Sequence, residues 1–454
     1  MIVPEDVSAA SEFSDDPNLR VGEGDRRGWW PIACIWIGNA LNVSTLMTGA
    51  LLGAGLVLAD AFWASLVGFG IVVAYGCFVA MEATDLGLPT SSMSTASLGR
   101  AGGRYLISLV LGISLIGWFG VQAGVCGSSF SIAIAQITGF QPPVWACSAF
   151  WGALMLVSAV YGFEGVKWVN IVSAPLLFLI CLYGVGVSIA GTGVDTVFNY
   201  VPAEGIGLVA GINIAVGLWA VGGATIGDFT RYARDRKGAV LSTVVGVLPL
   251  NVLVLMMGAL LAMVAPESGG DITVIFGALG LAVVGVVALV ASTWSVNVGN
   301  AYSAGLAFSV MLGKGEKSYK YTTVVAGTVG IVLAAAGILD TFSLFLTVLS
   351  ACIPALAGTM IADYWLIRKA RPENFRPLEG VSVPGLASFV GGAAVALITG
   401  GTFTGIVDAL SIPFFLGPVN GLVVSMLLYV VIYKAMRLPA FPGGIRLSLK
   451  RKES

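Results

Sequence analysis

The residues able to recognise a ligand in this chain are tryptophans and amides set inside apolar runs. In GWFGVQAGVCG, Trp118 and Gln122 are four residues apart and share one helix face. Trp118 offers a flat apolar plate, and Gln122 offers one acceptor and two donors to a planar polar edge. That pairing suits a flat heterocycle. The structural alternative, a belt tryptophan beside a helix-tying glutamine, is weakened because Trp118 lies deep within its apolar run.

A second plate, Trp219, stands in AGINIAVGLWAVGGATIGDFTRYARDR, residues 210–236. If it faces Trp118, the two indoles sandwich a ring of one or two cycles. Two arrangements fit the glycine pair Gly222–Gly223. One is a helix opened there, its freed backbone lining a protein-enclosed cavity because lipid cannot satisfy it. The other is a close helix crossing on small residues. Further on, STWSVNVGNAYSAG supplies Ser292, Ser295, Asn297 and Asn300. The amides of Asn297 and Asn300, three apart, complement ring nitrogens and exocyclic groups, or else tie helices together.

The elements that position these residues are membrane spans. The 454 residues are 57% hydrophobic and 10% charged, where a soluble domain carries about 25% charged residues. The mean hydropathy is +0.93, and the chain reads as an all-α polytopic membrane protein. A net charge of -1 gives no footprint for nucleic acid. The absence of histidine removes the usual general base and metal ligand, and no nucleophile–base pairing is placed, so an enzyme is not expected. The six cysteines sit in apolar surroundings without paired spacing and read as small buried hydrophobes.

Twelve spans are expected, near 31–58, 62–81, 105–137, 143–161, 166–190, 207–229, 240–264, 272–310, 321–339, 341–366, 384–407 and 411–436. Charge placement agrees with that count. The connections assigned outside carry Asp60, Asp195, Glu204, Glu267, Asp271, Asp340 and Asp408 and no Lys or Arg. The inner ones carry Arg100, Arg104, Lys167, Arg231, Arg234, Lys237, Lys314, Lys317, Lys320, Arg368 and Arg376, and both basic tails fall on the same side. Both termini are therefore expected in the cytoplasm, in a plasma (inner) membrane. The chain divides into a tail at 1–28, a first inverted repeat at 29–190, a second at 207–366, two further spans at 384–436 and a basic tail at 437–454. The polar, glycine-rich first span and the sixth span occupy corresponding positions in the two repeats, where discontinuous helices mark a central site.

No Asp or Glu lies at the middle of a span. Asp228 and Asp363 precede Arg231 and Arg368 at inner helix ends and read as end-of-helix ion pairs or gate anchors rather than proton carriers, and Glu82 and Asp85 close the second span similarly. A coupling cation would then be held by neutral oxygens, from the opened first span and from the hydroxyls of Ser295 and Ser292, a shell suited to sodium; a proton route stays open. Pro354 is expected to kink the tenth span.

The blocks GWFGVQAG at 117–124, GDFTRYAR at 227–234, TWSVNVGNAYSAGL at 293–306 and SACIPALAGTMIADYW at 350–365, in this order, resemble the nucleobase:cation symporter-1 family, most closely its cytosine permease branch. The resemblance runs from about Gly28 to Arg437. It implies a leucine-transporter-type fold, a five-plus-five inverted repeat with two more C-terminal helices, working by alternating access. It also implies substrate-binding roles for Trp118, Gln122 and Trp219, with Gly222, Asn297 and Asn300 beside them. The sodium site it implies uses first-span carbonyls at about Asn42 and Thr45 with Ser292, Ser295 and Val296. The partners implied are a small heterocyclic substrate, a coupling cation and lipid, with no other cofactor than sodium. This chain departs from the branch at Leu115, Leu218 and Val221, where polar side chains are usual, leaving open which purine, pyrimidine or related ring is carried. Val296 replaces a threonine hydroxyl and retains only its carbonyl. A zwitterion symporter on the same fold is the competing reading; it needs a carboxylate held at exposed helix amides, which an aromatic sandwich does not provide.

The charge asymmetry is directly testable. With the native cysteines replaced, a single cysteine at Glu204 or Asp408 should react with a membrane-impermeant thiol reagent on whole cells. One at Lys237 or Lys317 should react only after permeabilisation, and the reverse pattern would overturn the span count.

Overall fold

The computed structural model describes residues 20–161, 166–268, 272–278, 280, 282–312, 318–436 and 444–445. The chain opens with α1 (Trp29–Ala40) and α2 (Val43–Gly55), the two halves of one span bent by 59°. Asparagine favours helix starts because its side chain takes an orphan amide. Asn42 does this here, its Oδ1 accepting from the Thr45 amide at 3.0 Å while its Nδ2 donates back to the Asn39 carbonyl. The expected first span is thus a discontinuous helix.

There follow α3 (Leu58–Leu86), a short helix at Thr90–Leu98, α4 (Arg100–Thr138, with a π-helical turn at Gly103–Ile107) and α5 (Val144–Tyr161). Next come α6 (Val166–Thr192), α7 (Leu208–Ala224), α8 (Arg236–Val264), α9 (Ala282–Leu312) and α10 (Tyr319–Ala335). The described chain continues through α11 (Ile338–Ile367), α12 (Val383–Thr399) and α13 (Gly417–Ala435). Helix α11 runs through Pro354 without interruption, and its hydrogen-bond ladder widens later, in a π-helical turn at Ala362–Ile367.

Among the described residues, seven helices are long and apolar enough to cross a bilayer, and the bent α1–α2 pair makes eight. This does not reach the expected count of twelve. The other expected spans coincide with α6, α9, α10 and α12; α10 and α12 have 17 residues each, a length of about 26 Å, short of a core of about 30 Å.

Two groups of helices pack internally. One holds α1–α2, α3, α7 and α8, and the other holds α4, α5, α9 and α10. Contact is close because small residues meet backbone, the usual basis of helix association where lipid removes the hydrophobic drive. A Cβ at Gly49 would collide with the Leu255 carbonyl of α8, and one at Gly217 with the Leu346 carbonyl of α11.

The sixth expected span does not open at Gly222–Gly223. Helix α7 continues to Ala224 and gives way at Thr225 to a short helical turn, Gly227–Thr230. Tyr75 of α3 lies against Gly223 and donates its hydroxyl to the Ala220 carbonyl at 2.8 Å. Gly223 therefore serves the close crossing, the other arrangement the sequence permits.

Gly217→Val would force α7 and α11 apart, an overpacking cost of about 1–3 kcal/mol. It should lower the apparent melting temperature of the purified protein, whereas Gly70→Ala, with nothing within 4 Å of the added carbon, should leave it unchanged.

Candidate functional site

The break in the first span is the anchor of the site. Ser44, in the first turn of α2, is buried and accepts a hydrogen bond at 3.3 Å from Nε2 of Gln122, itself buried on α4. Trp118, one turn before Gln122, turns its indole onto α11, meeting Phe345 and Phe342 edge to face with centroids 5.3 and 6.1 Å apart. The α4 face identified from spacing alone thus connects the helix break to α11.

Trp219 supplies another wall from α7. Its ring meets Trp36 of α1 edge to face at 5.4 Å, and Trp36 meets Phe229 at 4.9 Å. Gly222 is what lets the Trp219 indole fold back along its own helix, since a Cβ there would stand 2.9 Å from the ring. Trp118 and Trp219 belong to one continuous apolar cluster with Trp36, Val121 and Leu218. Among the described residues no ring contact joins the two indoles; each leans on a different helix.

The eighth-span amides are differently employed. Asn297 is fully buried, with its Nδ2 3.2 Å from both the Phe119 carbonyl and the Met155 sulfur, and Asn300 reaches the Asn297 Oδ1 at 3.4 Å. Those partners lie in a separate cluster around Phe119, Cys126 and Met155. Asn297 therefore ties α9 to α4 and α5, the helix-tying alternative, while Asn300 bonds to Asn297 on its own helix, and the structure does not gather them with the indoles.

The groups expected at a cation site divide in the same way. The Asn42 side chain is committed to capping α2, and its carbonyl accepts from Leu46 at 3.3 Å. The Thr45 hydroxyl lies 3.4 Å from the Asn42 Oδ1. On α9, Ser292 is fully buried and its Oγ has no hydrogen-bond partner. A buried hydroxyl without a partner costs free energy, and a hard cation is one way to satisfy it. Val296 is half-buried, and the side chain of Ser295 lies outside the described residues. Beside the break, Leu41, Asn42 and Leu46 line a cavity of ≈ 10 Å³ with Leu177, Phe178, Cys181, Val254 and Met257; this is room for about one water.

At the helix ends that charge placement assigns to the inside, Asp363 and Arg368 form a buried ion pair at 3.3 Å, as expected. Asp228 does not pair with Arg231 through its carboxylate; it accepts from the Thr90 amide at 2.8 Å, while Arg231 donates to the Asp228 main-chain carbonyl. Asp85 pairs with Arg236 at 2.6 Å, but Glu82 finds no such partner. Ser44, Trp36, Phe342 and Phe345 escaped sequence reasoning. A serine among small residues and aromatics in apolar runs carry no local signal, and their roles come from which helices meet.

Known proteins resemble this chain in sequence and in fold. The chain is 29% identical over 427 residues to the cytosine permease of Escherichia coli (strain K12), covering 94% of this chain and 95% of that one. Its fold matches the inward-facing conformation of Mhp1 with a TM-score of 0.75 at 21% identity, over 94% of this chain and 95% of Mhp1. It also matches Mhp1, described as a nucleobase-cation-symport-1 family transporter, in a closed conformation with bromovinylhydantoin bound, with a TM-score of 0.71 at 20% identity over 95% and 98% of the two chains. The profile of permeases for cytosine/purines, uracil, thiamine and allantoin matches residues 21–417, and this chain belongs to that permease family.

Proposed function

We propose that this permease imports a nucleobase or a related planar heterocycle by cation-coupled alternating access, with Trp118, Gln122 and Trp219 gripping the ring beside the broken first span. The observation that carries this reading is the placement of Gln122. Its amide is buried, bonded to Ser44 at the break, and flanked on its own helix face by Trp118. A buried amide with one long hydrogen bond keeps capacity for a planar polar edge, and an indole beside it suits the flat face of the same ring. The bromovinylhydantoin held by Mhp1 is a ring of this kind and supports the class of substrate.

The grouping of helices supports the five-plus-five, leucine-transporter-type architecture. Spans one and two pack with six and seven, and spans three and four with eight and nine, so each group contains pairs offset by five. With α6 and α11 as the fifth span of each half and α12 and α13 appended, the chain makes twelve spans with both ends in the cytoplasm, in the inner membrane. Sodium is the coupling ion in this reading and travels as a second substrate. Its oxygens come from Ser292, from Ser295 and from main-chain carbonyls of Val296 and the opened first span.

Competition uptake in vesicles against labelled cytosine, uracil, hypoxanthine, guanine, allantoin and hydroxymethylpyrimidine, with and without a sodium gradient, tests the reading. Saturable uptake of at least one ring is expected, and its absence from folded protein would sink the proposal. Trp118→Ala should weaken substrate binding by about 2 kcal/mol, roughly thirtyfold in Kd. Gln122→Leu should cost about 1–3 kcal/mol; unchanged affinity in both would remove this site from the ring. Ser292→Ala should raise the sodium concentration needed for half-maximal uptake while leaving ring affinity at saturating sodium near that of the parent. A sodium response identical to the parent's would remove Ser292 from the ion shell.

A further inference from the structure

Trp36 carries a buried donor with no partner. Its indole is 3% exposed, and its Nε1 has no hydrogen-bond acceptor among the described residues. An indole N–H can only donate, and a buried tryptophan usually finds an acceptor for it. Two tyrosine hydroxyls in the same apolar cluster are satisfied in this way: Tyr75 donates to the Ala220 carbonyl at 2.8 Å and Tyr364 to the Asp85 carboxylate at 2.6 Å. A donor left over in such a place costs free energy until an acceptor reaches it.

The surroundings of Trp36 identify that acceptor. Trp36 stands one turn before the end of α1, on one side of the helix break, and Ser44 with its bound Gln122 stands just past the other side. Its base is held by α8, where a Cβ at Gly246 would come within 3.0 Å of the Trp36 Cβ. Its ring meets Trp219 at 5.4 Å with the planes 82° apart, and Phe229 at 4.9 Å and 81°. A flat ring lying on the Trp219 face is therefore nearly perpendicular to Trp36, which cannot serve it as a second plate. What Trp36 has to offer such a ring, beyond apolar contact, is its N–H. The faces of Trp219 and Phe229 are competing acceptors, but an N–H resting on a π face is bound more weakly than one bonded to oxygen.

We propose that Trp36 determines specificity in this permease: its Nε1–H donates to a carbonyl of the carried ring, so that oxo-substituted heterocycles are preferred over the same rings without that oxygen. A site built around a buried donor discriminates strongly against a ligand that leaves the donor unpaired. A carbonyl oxygen has two lone pairs and a ring nitrogen one, so the carbonyl can take the Trp36 N–H and still accept from the Gln122 amide. The inference deepens the ring-transport reading and rests on it.

The test is displacement of the labelled rings from purified full-length protein by unlabelled pairs that differ by one oxygen, hypoxanthine against purine, and cytosine against the aminopyrimidine that lacks its oxygen. The parent should bind the oxo member about tenfold more tightly or better, the ratio expected when a buried donor is left unpaired. Trp36→Phe, which keeps an aromatic ring and loses the N–H, should cut that preference about tenfold by weakening the oxo member and leaving the other unchanged. Benzothienylalanine at position 36 keeps the bicyclic shape with sulfur in place of the N–H, and should do the same; it decides the matter where Trp36→Phe does not fold. Equal binding of both members of each pair by the parent overturns the inference, as does an unchanged preference in either variant. A lower melting temperature of the benzothienyl variant at unchanged preference would put the N–H on a neighbouring ring face and overturns it too. Ring binding with an unchanged preference defeats this inference alone, whereas a parent that binds none of the labelled rings defeats the substrate reading and this inference with it.

Discussion

Main-chain amides and carbonyls inside a bilayer have no water to turn to, and the architecture of this permease follows from how it meets that constraint where its first span is interrupted. The gap between Ala40 and Val43 frees polar backbone deep in an apolar chain. Asn42 answers on both sides, capping the Thr45 amide and donating to the Asn39 carbonyl. The interrupted backbone is tolerable only where protein encloses it. Helix α8 supplies one wall by pressing its main chain against Gly49, and Gln122 reaches in from α4 to Ser44.

That enclosure makes the same place suited to a polar solute. The surrounding side chains are mostly neutral: indoles, a primary amide, hydroxyls and aromatic rings. Paired charge sits at one set of helix ends, where Asp85 joins Arg236 between α3 and α8 and Asp363 joins Arg368 at the end of α11. In the function proposed above, the neutral wall is what would suit an uncharged heterocycle and a cation shed of its water. The neutral wall and the paired charges are separated along α3 and α11.

The amides show how context decides function. Gln122 and Asn297 look alike in the sequence, each an amide in an apolar run. One is bonded to a serine at a helix break, the other to a main-chain carbonyl and a thioether between tightly packed helices. Both avoid an unsatisfied buried polar group, but only the first borders the helix break.

Composition, charge asymmetry and four short blocks were enough to read a polytopic α-helical permease, because hydropathy and the distribution of Lys and Arg are summed along the chain and survive ignorance of packing. The shared face of Trp118 and Gln122 was legible for a similar reason, since it follows from helical periodicity alone. What the tertiary structure decided were the pairings. It placed the sixth-span glycines at a close crossing, gave Asn297 to helix contacts, turned Asp228 toward Thr90, left Glu82 without an ion pair among the described residues and set Trp36 against Trp219. Each outcome depends on which helix lies opposite, a relation between residues as far apart as Asp85 and Tyr364 that no local pattern encodes.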